Sequence, residues 1–114
     1  YAELHCHSTF SLLDGASDPE RLVERAVELG LPALALTDHD DLGGAVRFAV
    51  AAKAANLAGI IGAEITIGRA DDAHPSAIRP PPSALQHLVL LAESRAGYAN
   101  LSSLITRARL DHPR

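Results

Sequence analysis

The run Ala33-Leu34-Ala35-Leu36 narrows the choice of fold more than any other stretch of this chain. A strand with one wet face alternates apolar and polar residues, whereas an unbroken apolar run of this length belongs to a strand covered on both faces, as in a parallel sheet flanked by helices. The neighbouring segments carry the alternation that such a sheet requires. Ala2 to His7 reads as a short first strand, and Ser8 to Ser17 as a loop containing a Leu12-Leu13-Asp14-Gly15 turn. Ser17-Asp18-Pro19-Glu20 starts a helix: Ser17 or Asp18 can cap, Pro19 suits the first turn, and Glu20 completes a capping box from Ser17. Leu22, Val23, Ala26, Val27 and Leu29 form its apolar stripe, and Gly30 stops it.

After the second strand, Gly43 to Ala55 predicts an alanine-rich helix with Val46, Phe48, Val50 and Ala54 buried and Asn56 as terminator. Gly59 to Ile67 is β-branched and predicts a third strand; Gln86 to Ala92 predicts a fourth. Arg69 to Ser83, between them, is polar, and Pro80-Pro81-Pro82 marks a long surface loop. Gly97 to Ala108 closes the series as a helix with Leu101, Leu104, Ile105 and Ala108 on one side. The expectation is an α/β fold of about four parallel strands joined by right-handed crossovers, as an open sheet or the first half of a barrel.

With 114 residues, 47% hydrophobic and 21% charged, the composition is that of a soluble globular protein with one small core. Tyr1 in place of methionine, and Arg107 to Arg114 ending in a helix-to-loop transition, predict a piece of a longer chain. No apolar run approaches the ~20 residues that span a bilayer, and nothing at the start has the charged, apolar and small-residue order of a signal peptide, so a cytoplasmic home is expected by default. One cysteine allows no internal disulfide. A net charge of −4 excludes a stand-alone nucleic-acid grip, which needs clustered Lys and Arg.

Residues with metal chemistry recur at the strand ends. His5 and His7, two apart, project from one strand face while Cys6 projects from the other. Asp14 follows the first strand, Asp38 and His39 end the second, Glu64 lies in the third and His87 in the fourth. The carboxyl ends of parallel strands form one rim, where sites of such folds sit. Nitrogen and oxygen donors without thiolate suit zinc, manganese or iron in an open catalytic site better than a closed structural zinc. Plainer roles exist for each. Asp14 before Gly15 also reads as a turn residue, Asp38, Asp40 and Asp41 as helix caps, and His87 as an ordinary strand histidine. His74 and His112 read as loop histidines, and Cys6 as a small buried apolar residue. Glu64 resists such a reading, because an unpaired carboxylate in an apolar strand costs several kcal/mol.

Five stretches carry a resemblance: His5-Cys6-His7-Ser8, Ser11-Leu12-Leu13-Asp14-Gly15-Ala16, Ala35-Leu36-Thr37-Asp38-His39-Asp40, Ile61-Gly62-Ala63-Glu64, and His87-Leu88-Val89-Leu90-Leu91-Ala92 with Gly97-Tyr98 and Asn100-Leu101. In this order they resemble the polymerase and histidinol phosphatase (PHP) domain, over nearly the whole chain. Leu12 to Ala16 and Ile61 to Glu64 are similar to the domain that opens bacterial C-family DNA polymerases. Cys6 between the histidines, Ala2-Glu3-Leu4 before them and Ile105 to Arg109 are similar to the error-prone branch, the accessory polymerases of damage-induced mutagenesis.

The resemblance implies a distorted (β/α)7 barrel of the TIM type, of which residues 1–114 would be the N-terminal portion. It implies up to three divalent metal ions, zinc or manganese above all, with His5, His7, Asp14, His39, Glu64 and His87 in six of nine ligand places. Three further ligands would come from later strands, and Asp38 would stand behind the ligands. Asp41 and Gly43-Gly44 depart from the family pattern without removing a ligand. The implied activity is metal-dependent phosphoester hydrolysis, as a 3′ to 5′ exonuclease within a DNA polymerase. DNA and the replication or mutagenesis proteins would be met through the rest of that polymerase, with no membrane involved. Two alternatives stay open: a metal-stabilised scaffold domain without catalysis, and a free PHP-type phosphatase. The 114-residue piece alone is expected to bind metal weakly and to catalyse nothing useful.

Overall fold

The computed structural model describes residues 1–67 and 86–111. The predicted loop from Arg69 to Ser83, His74, His112 and the end of the chain lie outside the described residues. The elements are α1 (Pro19–Glu28), β1 (Ala33–Leu36), α2 (Ala45–Ala54), β2 (Ala58–Ile67), β3 (Gln86–Leu91) and α3 (Arg95–Asp111). The sheet order is β1-β2-β3. β1 pairs parallel to β2, with Leu34 opposite Gly59 and Leu36 opposite Ile61. β3 pairs antiparallel to β2, with Thr66 opposite His87 and Glu64 opposite Val89.

Two expectations about strands are corrected. The described strands are not all parallel. A parallel return requires a crossover, usually a helix, and the polar, proline-rich sequence from Arg69 to Ser83 carries no helical pattern. Ala2 to His7 is not a regular strand. Glu3 alone bridges Leu34, although Ala35 N–H donates to the Glu3 carbonyl and Thr37 N–H to the Cys6 carbonyl, both at 2.8 Å. Side chains take the donors that a ladder would use: Cys6 N–H donates to Thr37 Oγ1 (3.0 Å) and His5 N–H to Glu3 Oε1 (3.1 Å). The described residues form a three-stranded sheet.

Alternation fixes which face of the sheet the helices cover. Leu34, Leu36 and Ile61 pack with Val23 and Ala26 of α1 and Phe48 and Ala52 of α2. Ala63, Ile65 and Leu90 pack with Leu101 and Ile105 of α3. By the strand registers these residues share one face, so all three helices lie on that side. Glu64, Thr66 and His87 therefore face the other way.

The helices begin and end where the sequence places them, within two or three residues, with Pro19 in the first turn of α1 and Gly30 beyond its end at φ +67°. Their internal details differ. Asp18 occupies the N-cap of α1 without a side-chain cap, and the capping box is absent because Glu20 is drawn to Arg47 Nε (2.8 Å) and Nη2 (2.7 Å). Val27 and Leu29 of the expected stripe are exposed, as is Leu104 of α3. In α2, Phe48 is fully buried while Val46 and Val50 stand out in solvent. Positions two apart on a helix lie about 200° around its axis, so neither valine can share the face of Phe48. No helix among the described residues is long and apolar enough to cross a membrane.

Candidate metal centre

Glu64 is the middle of the site. Its side chain is 7% exposed, yet four imidazoles converge on it. His5 Nε2 is in direct contact with Oε2, His7 Nε2 lies 3.0 Å from the same oxygen, His87 Nδ1 lies 2.9 Å from Oε1, and His39 Nδ1 lies 3.6 Å from Oε1. Asp14 stands at a second centre, in contact with His7 Nδ1 and 3.4 Å from His39 Nε2. Ring centroids step across the rim at 5.0 Å from His5 to His7, 4.5 Å to His39 and 5.3 Å to His87.

Strand geometry explains why these side chains meet. The parallel pairing of β1 with β2 continues past Leu36, so that His39 forms a bridge with Glu64 and their side chains share a face. Thr66 lies two residues beyond Glu64 on that face, and its partner His87 must share it as well. The antiparallel direction of β3 matters here. His87 is the second residue of its strand, and in a parallel β3 that position would fall at the opposite rim.

Asp38 does not join the cluster. Adjacent to His39, it projects to the other side, where it is 2% exposed. It accepts hydrogen bonds from Ser8 N–H (2.6 Å), Ser8 Oγ (2.8 Å) and Ser11 Oγ (2.7 Å). Ser11 Oγ in turn accepts from His39 N–H (3.0 Å). Asp38 thus anchors the loop that carries Asp14 and does not cap α2. Gly15 closes that loop: a Cβ there would lie 1.8 Å from the Ser8 carbonyl oxygen. Asp41 accepts locally from Gly43 N–H, and Asp40 Oδ1 accepts from Thr66 N–H (2.9 Å). Cys6 packs against the core, and burial pushes its thiol pKa up, in keeping with an apolar role. Ser8 and Ser11 have structural roles that sequence reasoning missed; two hydroxyls three apart in a loop between histidines and Asp14 were the available signal.

The electrostatics favour ionised carboxylates. Burial is the largest influence on Glu64 and acts to raise its pKa, but the contact with His5, the nearby His39 and the hydrogen bond with His7 together prevail and hold it below the ordinary carboxylate value. The hydrogen bond with His7 lowers the pKa of Asp14. Three sets offer donor atoms within 4.8 Å of one another: His5, His7 and Glu64; His7, Asp14 and His39; His39, Glu64 and His87. Their imidazole nitrogens and carboxylate oxygens suit a divalent cation. All six residues expected as ligands are thus brought together.

A sheet with helices on one face and a histidine–carboxylate cluster on the other defines an α/β domain with a candidate metal centre. The chain belongs to the PHP domain family, which matches residues 3–114. It is 53% identical over 110 residues to an error-prone DNA polymerase of Cutibacterium acnes, covering 96% of this chain and 9% of that protein. It is 52% identical over 110 residues to an error-prone DNA polymerase of Mycobacterium bovis, covering 96% and 10%. The chain therefore spans about a tenth of the length of these relatives. A crystal structure of a protein from Bifidobacterium adolescentis, assigned as a metal-dependent phosphoesterase, superposes with a TM-score of 0.68 at 28% identity, covering 96% of this chain and 33% of that one.

Proposed function

We propose that this chain is the leading part of the PHP domain of an error-prone C-family DNA polymerase, and that its rim is a divalent-metal site for phosphoester hydrolysis. The observation that carries the reading is the buried Glu64 carboxylate faced by His5, His7, His39 and His87. A carboxylate in such a place needs cationic or hydrogen-bonding partners, and four imidazoles around it form a metal-ligand set. The three overlapping donor sets offer imidazole nitrogens and carboxylate oxygens of the kind zinc or manganese takes, and the complete domain would hold up to three ions.

Divalent ions held there supply Lewis-acid polarisation of a phosphodiester and lower the pKa of water. The chain's own residues do the rest. Glu64 and Asp14 bring carboxylate oxygens, the four histidines bring imidazole nitrogens, and Asp38 with Ser8 and Ser11 fixes the loop carrying Asp14. His5 and Asp14 are about half exposed, at 52% and 53%, so a DNA 3′ end would approach from their side. The polymerase relatives favour this reading over a free phosphatase.

The test is elemental analysis of the complete parent polymerase with His5 and His7 both replaced by alanine, alongside release of nucleotides from a DNA 3′ end. Loss of bound zinc or manganese together with loss of release is expected. Unchanged metal content in the double variant would overturn the proposal; metal loss without any release from the wild type would leave a metal-stabilised scaffold.

A further inference from the structure

Asp40, immediately after His39, has a left-handed backbone with φ +49°. A residue other than glycine stays in that region only when its surroundings hold it there. Three contacts from two elements do so. Its N–H donates to the Glu64 carbonyl (2.9 Å), its Oδ1 accepts from Thr66 N–H (2.9 Å), and its carbonyl accepts from Arg109 Nη2 (2.8 Å). The first two come from β2. The third comes from the last turn of α3, and the same Nη2 lies 2.8 Å from Asp41 Oδ2.

We infer that Arg109 is a positioning residue for the metal centre: by clamping the backbone of Asp40 and the carboxylate of Asp41 from α3, it holds His39 in register with Glu64. The inference rests on the metal reading of the rim and assigns Arg109 no contact with an ion. His39 belongs to two of the three donor sets, so the clamp governs those two and not the set of His5, His7 and Glu64. A plain surface ion pair predicts something else. The Arg109 side chain is 50% exposed, and such pairs contribute little to stability and nothing to the geometry of a distant ligand.

The experiment compares Arg109→Gln, Arg109→Lys and His39→Ala with wild type in the complete parent polymerase, by zinc competition against a chromophoric chelator and by hydrogen exchange of metal-free peptides covering residues 36–42 and 61–67. Arg109→Gln is expected to weaken about tenfold those ions that His39→Ala removes, in the range known for groups that orient ligands, and to leave any other ion unchanged. Exchange in the 36–42 peptide is expected to quicken while the unfolding midpoint stays near that of wild type. Arg109→Lys keeps the charge but not the planar fork; it is expected to recover part of the affinity, and it decides the matter if Arg109→Gln does not fold. Wild-type zinc affinity and exchange in the folded Arg109 variants, with His39→Ala impaired, would overturn the clamp and leave the metal reading standing. Zinc binding unaltered by His39→Ala would overturn the metal reading and the inference with it.

Discussion

Asp38 and Asp18 are both acidic residues at the start of a loop or helix, and the structure gives them unequal weight. Asp38 is buried and accepts three hydrogen bonds. Its replacement by alanine strands Ser8 and Ser11 donors in the interior and is expected to cost about 3 kcal/mol or more. Asp18→Ala, at an N-cap without a side-chain cap, is expected to cost under about 0.5 kcal/mol, below the usual ~1 for a capping residue. Urea unfolding of the two variants checks the contrast. Glu64 supplies a pH signature. Its folded pKa is lowered from 4.5, so the ionised form contributes stability that is complete above that value and is lost as the pH falls through the lower folded value. In metal-free protein, the stability gap between wild type and Glu64→Gln is expected to narrow as the pH falls below 4.5; a gap that stays constant as the protein is acidified to its unfolding would refute it. The sequence already singled out Glu64, because a carboxylate in a β-branched run needs an explanation. It could not give Asp38 its role, because the partners Ser8 and Ser11 lie about 30 residues away and only the fold unites them.

Helices and strands were readable to different depths. Pro19 and Gly30 are local signals with local causes, and they bound α1 correctly. The direction of β3 has no local cause: Gln86 to Leu91 reads the same whichever way it runs, and only pairing with β2 decides. Val46 and Val50 were expected inside on apolar character alone, which helical geometry at a spacing of two overrules. The β2–β3 pair yields a sharp test. A Cβ on Gly62 would meet the Leu90 carbonyl oxygen at 2.5 Å and Leu91 Cδ2 at 2.7 Å. Backbone cannot yield as a flexible side chain does, so Gly62→Ala is expected to destabilise by about 1–3 kcal/mol. Gly97→Ala, where the nearest atoms lie at 3.6 Å, is expected to stabilise α3 by up to about 0.5 kcal/mol. Thermal unfolding of both variants would expose the opposite signs.

Across the molecule, cores and rim divide the sheet between them. Residues of β1, β2 and β3 with one parity hold the helices, and those with the other parity point toward the histidines. This parity was implicit in the i, i+2 spacing of His5 and His7, and it survives even though Ala2 to His7 is no regular strand. Phe48, the fully buried residue of α2, sits on the helix side. Phe48→Ala is expected to cost about 3–5 kcal/mol while leaving metal stoichiometry of the folded fraction unaltered, measurable by unfolding and elemental analysis of the same preparation.

The donor sets overlap unequally: His7, His39 and Glu64 each serve twice, whereas His5, Asp14 and His87 each serve once. Erosion of such a centre has an order. On the proposed metal reading, loss of an outlying donor disturbs one set, whereas a change at a doubly used residue disturbs two together, so decay would begin at the margin and end in a step.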